Sequence, residues 1–242
     1  MNAPRAMVLA AGYGLRLRPI TATTPKPLVK VAGRTMLDRA LDALAAAGVA
    51  EAVVNVHHLG AQIESHLAAR ARHGRRPATA ITQESELLDT GGGITNALPC
   101  LGSDPFLAVN ADIVWEDGPV PALRRLAEAF DPAHMDALLL MVACDRAVGF
   151  DGSGDFFMGE DGQLVRRGER ATAPYVYAGL QMLTPTLFAD APAGPFSLNR
   201  LYDRAAERGR LFGIAHDGAW YHVGTPAALR EADRLLGAAE VK

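Results

Sequence analysis

Hydrophobic and polar positions alternate in two rhythms along the first half of the chain. Continuous apolar runs over Ala6–Ala10, Ala52–Val56, Phe106–Asn110 and Ala137–Val142 predict buried strands, with a further strand over Ala78–Thr82. Helical spacing fills the gaps. Thr35–Ala47 places Leu37, Ala40, Leu41 and Leu44 on one face and stops at Gly48. Ala61–Arg72 turns Ile63 and Leu67 inward, Gly93–Leu98 predicts a short helix, and Val120–Phe130 another. This alternation predicts an α/β fold with a doubly wound, mostly parallel sheet. After Phe150 the pattern changes. Glu160-Asp161-Gly162 predicts a hairpin turn, Tyr175–Leu183 an antiparallel strand, and Leu198–Glu207 and Pro226–Leu236 two helices. The second half is expected to extend the same sheet, so that residues 1–242 form one domain with halves at about 1–115 and 116–242.

In an open α/β sheet, ligands sit at the carboxyl ends of the strands. The chemically notable residues fall there. Strand 1 runs into Gly12-Tyr13-Gly14-Leu15-Arg16-Leu17-Arg18-Pro19, followed by Pro25-Lys26-Pro27-Leu28. The third strand ends at Gln83-Glu84, ahead of Asp89-Thr90-Gly91-Gly92-Gly93, and the fourth at Asn110-Ala111-Asp112. Glycines admit backbone N–H groups close to a ligand, and Arg and Lys add fixed and mobile positive charge. The pattern is suited to a triphosphate. A nicotinamide site fits poorly, because Leu17 stands where the dinucleotide fingerprint needs its third glycine, and the P-loop spacing is absent.

Charge sharpens the picture. The chain carries a net charge of −3, yet Arg5, Arg16, Arg18, Lys26, Lys30 and Arg34 all precede its first carboxylate, Asp38. The chain uses lysine only at positions 26, 30 and 242, so two of its lysines share one short loop. Pro25 and Pro27 stiffen the backbone around Lys26 and fix where its ammonium points. Asp112 reads either as a strand-ending turn or as a carboxylate for a divalent cation shared with phosphates; opposite a phosphate loop, metal is favoured. Gly91-Gly92-Gly93 reads either as a flexible loop or as a surface on which a flat base lies, with Glu84 or Glu86 nearby. Asp155 reads as a turn residue or as an acceptor for sugar hydroxyls.

Composition narrows the class. An apolar content of 49% over 242 residues supports a sizeable core, and 21% charged residues without a basic surplus argue against nucleic-acid binding. No run reaches the length of a membrane span, and strand 1 leaves no room for a signal peptide. Two cysteines, Cys100 and Cys144, make no disulfide framework and no metal spacing, so a reducing, cytoplasmic setting is expected.

Taken together, Leu9–Pro19 and Pro25–Leu28 resemble the signature loop of the sugar-1-phosphate nucleotidylyltransferases. Thr90–Gly93, Asn110–Asp112, Gly154-Asp155-Phe156, Tyr177-Ala178-Gly179 and Trp220–Thr225 follow in that family's order, so the resemblance covers nearly the whole chain. It implies a Rossmann-like, glycosyltransferase-A-like fold without a C-terminal β-helix. It implies transfer of a nucleotidyl group from a nucleoside triphosphate to a sugar-1-phosphate. The Leu-Asp-Thr-Gly-Gly-Gly and Gly-Asp-Phe segments look most like the uridylyltransferase branch that uses UTP and N-acetylmuramate-1-phosphate in peptidoglycan recycling. A guanylyltransferase for mannose- or heptose-1-phosphate, and a non-catalytic nucleotide-sugar sensor, are the alternatives.

By this resemblance, the backbone of Ala10, Ala11, Gly12, Tyr13 and Gly14 holds the nucleotide, with Glu84 and Gly91 near the base. Arg16 binds the leaving phosphates, Lys26 bridges the α-phosphate and the attacking phosphate, and Asp112 holds Mg²⁺. Asn110, Asp155 and Gly179 lie near the sugar. The family has Asp where this chain has His222, a second metal position. An imidazole there suits softer ions such as Mn²⁺ or Co²⁺. The expected partners are small molecules alone, and the expected state a monomer or small homo-oligomer.

Overall fold

The computed structural model describes residues 5–239. In chain order the elements are β1 (Ala6–Leu9), β2 (Lys30–Val31), β3 (Arg34–Thr35), α1 (Met36–Ala46), β4 (Glu51–Val56), α2 (Gly60–Arg72), β5 (Ala78–Gln83), α3 (Asp89–Leu101), β6 (Phe106–Asn110) and β7 (Val114–Glu116). The second half continues with α4 (Ala122–Ala129), β8 (Ala137–Ala143), β9 (Ala147–Val148), β10 (Phe156–Met158), β11 (Leu164–Arg166), β12 (Tyr175–Leu183), α5 (Asn199–Glu207), β13 (Leu211–Ala215), β14 (Ala219–Tyr221) and α6 (Pro226–Ala239).

β1 lies between β4 and β6, parallel to both, and β5 continues the parallel set beyond β4. A strand paired on both edges and covered on both faces is apolar at every position, and Ala6, Met7 and Val8 are fully buried. Successive side chains serve opposite faces of the sheet. Ala6 and Val8 join Leu37, Ala40, Leu41 and Leu44 of α1 on one side, while Met7 joins Ile94 of α3 and Ala108 on the other. The fold is therefore an α/β sheet wound on both faces, as the alternation predicts.

β12 is the hinge between the halves of the sheet. It runs antiparallel to β6 and to β8, and its register shifts between Tyr177 and Gln181. Gly179 sits in that irregularity with φ of 85°, a backbone conformation that glycine adopts without strain. The antiparallel strand over Tyr175–Leu183 and the hairpin at Glu160–Gly162, joining β10 to β11, appear where the sequence places them.

Two features differ from expectation. α3 begins at Asp89 and takes in all three glycines, rather than starting at Gly93. The aromatic stretch from Trp220 reads as a strand and is β14, but its partners β7 and β9 in a small sheet, and β13, are missing from the sequence reading. These strands are two to five residues long, too short to impose a period of their own.

Candidate active site

The loop after β1 is held from below by a buried polar chain. The amide of Ala10 donates to Asn55 Oδ1 (2.8 Å), Asn55 Nδ2 donates to Glu84 Oε1 (2.7 Å), and Glu84 Oε2 accepts the amide of Leu88 (3.0 Å). Asn55 and Glu84 are both buried. The chain links the carboxyl ends of β1, β4 and β5 to the start of α3. Each buried polar atom in it has a partner, the condition under which such a network rigidifies a fold.

This arrangement revises two sequence expectations. Both oxygens of Glu84 are used within the protein, so the side chain supports the site and does not line the cleft. Gly91, Gly92 and Gly93 do not form a platform for a ligand. A Cβ at Gly91 would run into the Phe196 ring; one at Gly92 would lie 2.6 Å from the carbonyl oxygen of Gly194; one at Gly93 would lie 2.8 Å from both Asn55 Nδ2 and Glu84 Oε1. The glycines let α3 pack closely against the 194–196 segment and the polar chain. Gly91 also donates its amide to the carbonyl of Phe196 (2.9 Å). Asn55 is the residue that sequence reading missed. Its signal was a lone amide among the apolar residues 52–56 of β4.

Above this support the signature loop turns sharply. Gly14 has φ of 62°, and a Cβ there would lie 3.0 Å from Lys26 Cβ and from Thr21 Cγ2. Thr21 Oγ1 donates to the carbonyl of Gly14 (2.8 Å). Glycine at position 14 thus allows the loop to fold onto the Pro25–Leu28 segment. Gly12, by contrast, faces open space. Leu17 is fully buried, and Tyr13 is exposed, with its ring against His57 and His58.

Lys26 and Asp112 meet across the loop. Lys26 is only 8% exposed, yet its Nζ donates to Asp112 Oδ2 at 2.8 Å. The Asp112 side chain is 40% exposed, and among the described residues no hydrogen bond takes its Oδ1. Both residues line a cleft of about 290 Å³. Leu9 to Gly12, Asn110, Asp89 and Thr90 also line it. Asp89, like Gly14, lies in the left-handed region, with φ of 59°.

The other expected residues lie around this cleft rather than on its lining. A Cβ at Gly179 would lie 3.2 Å from Asn110 Nδ2, so β12 passes directly behind Asn110. Asp155 Oδ2 accepts the amide of Tyr177 (3.0 Å), which ties β10 to β12. Trp220 Nε1 donates to the carbonyl of Ala178 (2.9 Å) and fixes β14 against the same strand. His222 follows β14, half-buried, with its ring 5.9 Å from that of Phe150 and 5.8 Å from that of Trp220. Burial pushes its pKa below the ordinary histidine value, and the charges of Arg16 and Lys26 push it the same way, against Asp112 and Asp151.

A divalent cation fits this donor set only in part. Among the described residues there is no group of three His, Cys, Asp or Glu side chains able to cage a metal. Asp112 offers one unengaged carboxylate oxygen. Mg²⁺ is commonly held by one or two carboxylates plus substrate phosphates and water, and Asp112 suits that arrangement.

Comparison with known proteins agrees with the geometry. The family model described as nucleotidyl transferase matches residues 5–151. The chain is 43% identical over 98% of its length to N-acetylmuramate alpha-1-phosphate uridylyltransferase of Caulobacter vibrioides, covering 99% of that protein. It is 35% identical to the protein of the same name from Neisseria meningitidis, over 97% of this chain and 99% of that one. Among solved structures, UDP-glucose pyrophosphorylase complexed with UDP-glucose superposes with a TM-score of 0.79 at 17% identity, covering 98% of this chain and 99% of that one. A putative glucose-1-phosphate thymidylyltransferase from Bacillus anthracis gives 0.80 at 19% identity, over 97% and 96% of the two chains. These structures share the fold. The chain belongs to the nucleotidyl transferase family.

Proposed function

We propose that this protein transfers the uridylyl group of UTP to N-acetylmuramate-1-phosphate, releasing pyrophosphate and forming UDP-N-acetylmuramate. The carrying observation is the Lys26–Asp112 pair at 2.8 Å in the wall of the cleft. In this reading the pair supplies a mobile cation and a carboxylate to the two phosphate groups that react. The full-length likeness to two uridylyltransferases of that name supports the choice of base and sugar.

In this reading a phosphate oxygen of the sugar-1-phosphate attacks the α-phosphorus in line. The bond between the α-phosphorus and its bridging oxygen to the β-phosphorus breaks, and pyrophosphate leaves with the electron pair. No covalent intermediate forms on the protein, so its task is positioning and charge stabilisation. The backbone of Ala10, Ala11 and Gly12 receives the nucleotide, with the loop pinned by Asn55. Lys26 turns from Asp112 to the α-phosphate and the incoming phosphate, lowering the repulsion between two anions. Asn110 faces the sugar, with Gly179 behind it and Asp155 holding the strand register. Arg16 receives the leaving phosphates. When bound, a divalent cation at Asp112, Mg²⁺ by preference, would neutralise charge on the phosphates. In this reading the first half of the chain mainly serves the nucleotide, and the second half, with Asn110, the sugar. We place the reaction in the cytoplasm, within peptidoglycan recycling; no helix among the described residues is long and apolar enough to cross a membrane.

The test is pyrophosphate release measured for UTP, dTTP, GTP, CTP and ATP against N-acetylmuramate-, N-acetylglucosamine-, glucose- and mannose-1-phosphate. The reading expects the highest kcat/KM for UTP with N-acetylmuramate-1-phosphate. A maximum at GTP with mannose-1-phosphate would keep the mechanism and replace the substrates. No release with any combination would leave a nucleotide-sugar sensor.

A further inference from the structure

Gly224 is glycine for a local reason. A Cβ there would run into His222 Nε2 and would lie 3.4 Å from Arg16 Nη1. The edge of the imidazole and the guanidinium therefore reach the same point, over the bare backbone of residue 224. His222 is held there by its neighbours. Phe150 and Trp220 flank its ring, and its amide donates to the carbonyl of Val148 (2.8 Å).

Neither group is satisfied by the protein. Among the described residues, Arg16 makes no hydrogen bond or ion pair, and neither ring nitrogen of His222 makes a hydrogen bond. A ring held by its neighbours and an exposed guanidinium, close together and unused, are ready for a ligand. The surrounding charge decides its sign. The groups acting on His222 are Arg16 and Lys26 on the cationic side and Asp112 and Asp151 on the anionic side, with the two cations the stronger. A metal ion on Nε2 would sit against the Arg16 guanidinium and be repelled by it. An anion would gain from Arg16 and from an imidazole N–H together. The chain then passes through Gly224 into the first turn of α6, where Thr225 Oγ1 accepts the amide of Ala228 (3.2 Å). The positive end of that helix dipole also favours an anion.

We infer that His222 and Arg16 together hold the departing pyrophosphate, and that His222 is not a ligand of the metal. The inference rests on the reading that pyrophosphate leaves this cleft. As the bond to the α-phosphorus breaks, negative charge grows on the β-phosphoryl oxygen. Arg16 meets it with a fixed charge. His222 adds a hydrogen bond beside it.

The experiment is calorimetric titration of the whole protein with inorganic pyrophosphate in EDTA, free of divalent metal. Wild type is compared with His222→Phe, His222→Gln and His222→Asp. The expected result is that His222→Phe weakens binding about 5- to 20-fold, the loss of one charge-assisted hydrogen bond. His222→Gln, which keeps an N–H donor, should stay within about threefold of wild type, and His222→Asp should bind most weakly because a carboxylate repels the ligand. Unchanged affinity in His222→Phe, tighter binding in His222→Asp, or no metal-free binding by wild type overturns the inference. If His222→Phe fails to fold, the order of the Gln and Asp variants decides. Another base or sugar preference in the substrate assay leaves this result standing, because pyrophosphate is common to all of those reactions.

Discussion

Asn55 uses its carboxamide oxygen to receive the amide of Ala10 and its amino group to reach Glu84, so one buried side chain joins three strand ends beneath the loop that follows β1. Asn55→Ala removes both bonds and leaves Glu84 Oε1 without its partner. A buried charged group that loses a hydrogen bond costs more than the bond alone contributes, so the expected destabilisation is about 3 kcal/mol. Urea unfolding measures it. The same variant should raise KM for the triphosphate, because the loop loses its anchor.

Lys26→Ala and Asp112→Asn should separate chemistry from folding. Asp112 is partly exposed but Lys26 is buried, so losing the pair should cost about 1–3 kcal/mol of stability. Turnover should fall about 10²- to 10³-fold, the scale of removing one preorganised charge at a reacting centre. Steady-state kinetics alongside thermal unfolding reads both quantities. A folded Lys26→Ala with turnover near that of wild type would remove Lys26 from the mechanism.

Gly12 and Gly91 should respond oppositely to alanine. At Gly91 the new methyl meets the Phe196 ring, and overpacking of this kind costs about 1–3 kcal/mol. Phe196→Ala in the same chain should recover part of that loss, which a double-mutant cycle measures. At Gly12 the methyl meets no protein atom, so stability should hold while nucleotide binding weakens.

A pH effect is expected away from the cleft. Burial pushes the Asp38 carboxyl up, but hydrogen bonds from Thr35, His66 and Arg70 outweigh it and hold its pKa below the ordinary value. A carboxylate depressed in the folded state stabilises the fold above its unfolded pKa, about 3.9, and loses that contribution as pH falls through the folded value. Urea midpoints followed from neutral pH into the acid range should drop less steeply in Asp38→Asn than in wild type. Parallel curves would show that Asp38 contributes nothing to acid unfolding.

Much of this was readable from residue order. The parallel core follows from runs such as Met7–Leu9, which are apolar because they are covered on both faces, and α1 follows from the spacing of Leu37, Leu41 and Leu44. Lys26 and Asp112 were each readable as candidates, from a lysine between two prolines and an aspartate at a strand end, but their meeting across the loop was not. What stayed hidden depends on packing at long range. Gly91 and Gly92 of α3 are selected by Phe196 and Gly194, about a hundred positions away, and a glycine that yields to a neighbour reads in sequence like one that yields to a ligand. Glu84 faces inward because Asn55 receives it, and no local pattern carries that pairing. The strands that bring His222 beside Arg16 are too short to show a period.

The most direct test of the account is a competition in one tube. Equal UTP and GTP are offered with equal N-acetylmuramate-1-phosphate and mannose-1-phosphate, in Mg²⁺, and mass spectrometry identifies the nucleotide-sugars formed. The account predicts UDP-N-acetylmuramate as the dominant product, lost in Lys26→Ala. A dominant guanosine product, or none, would contradict it.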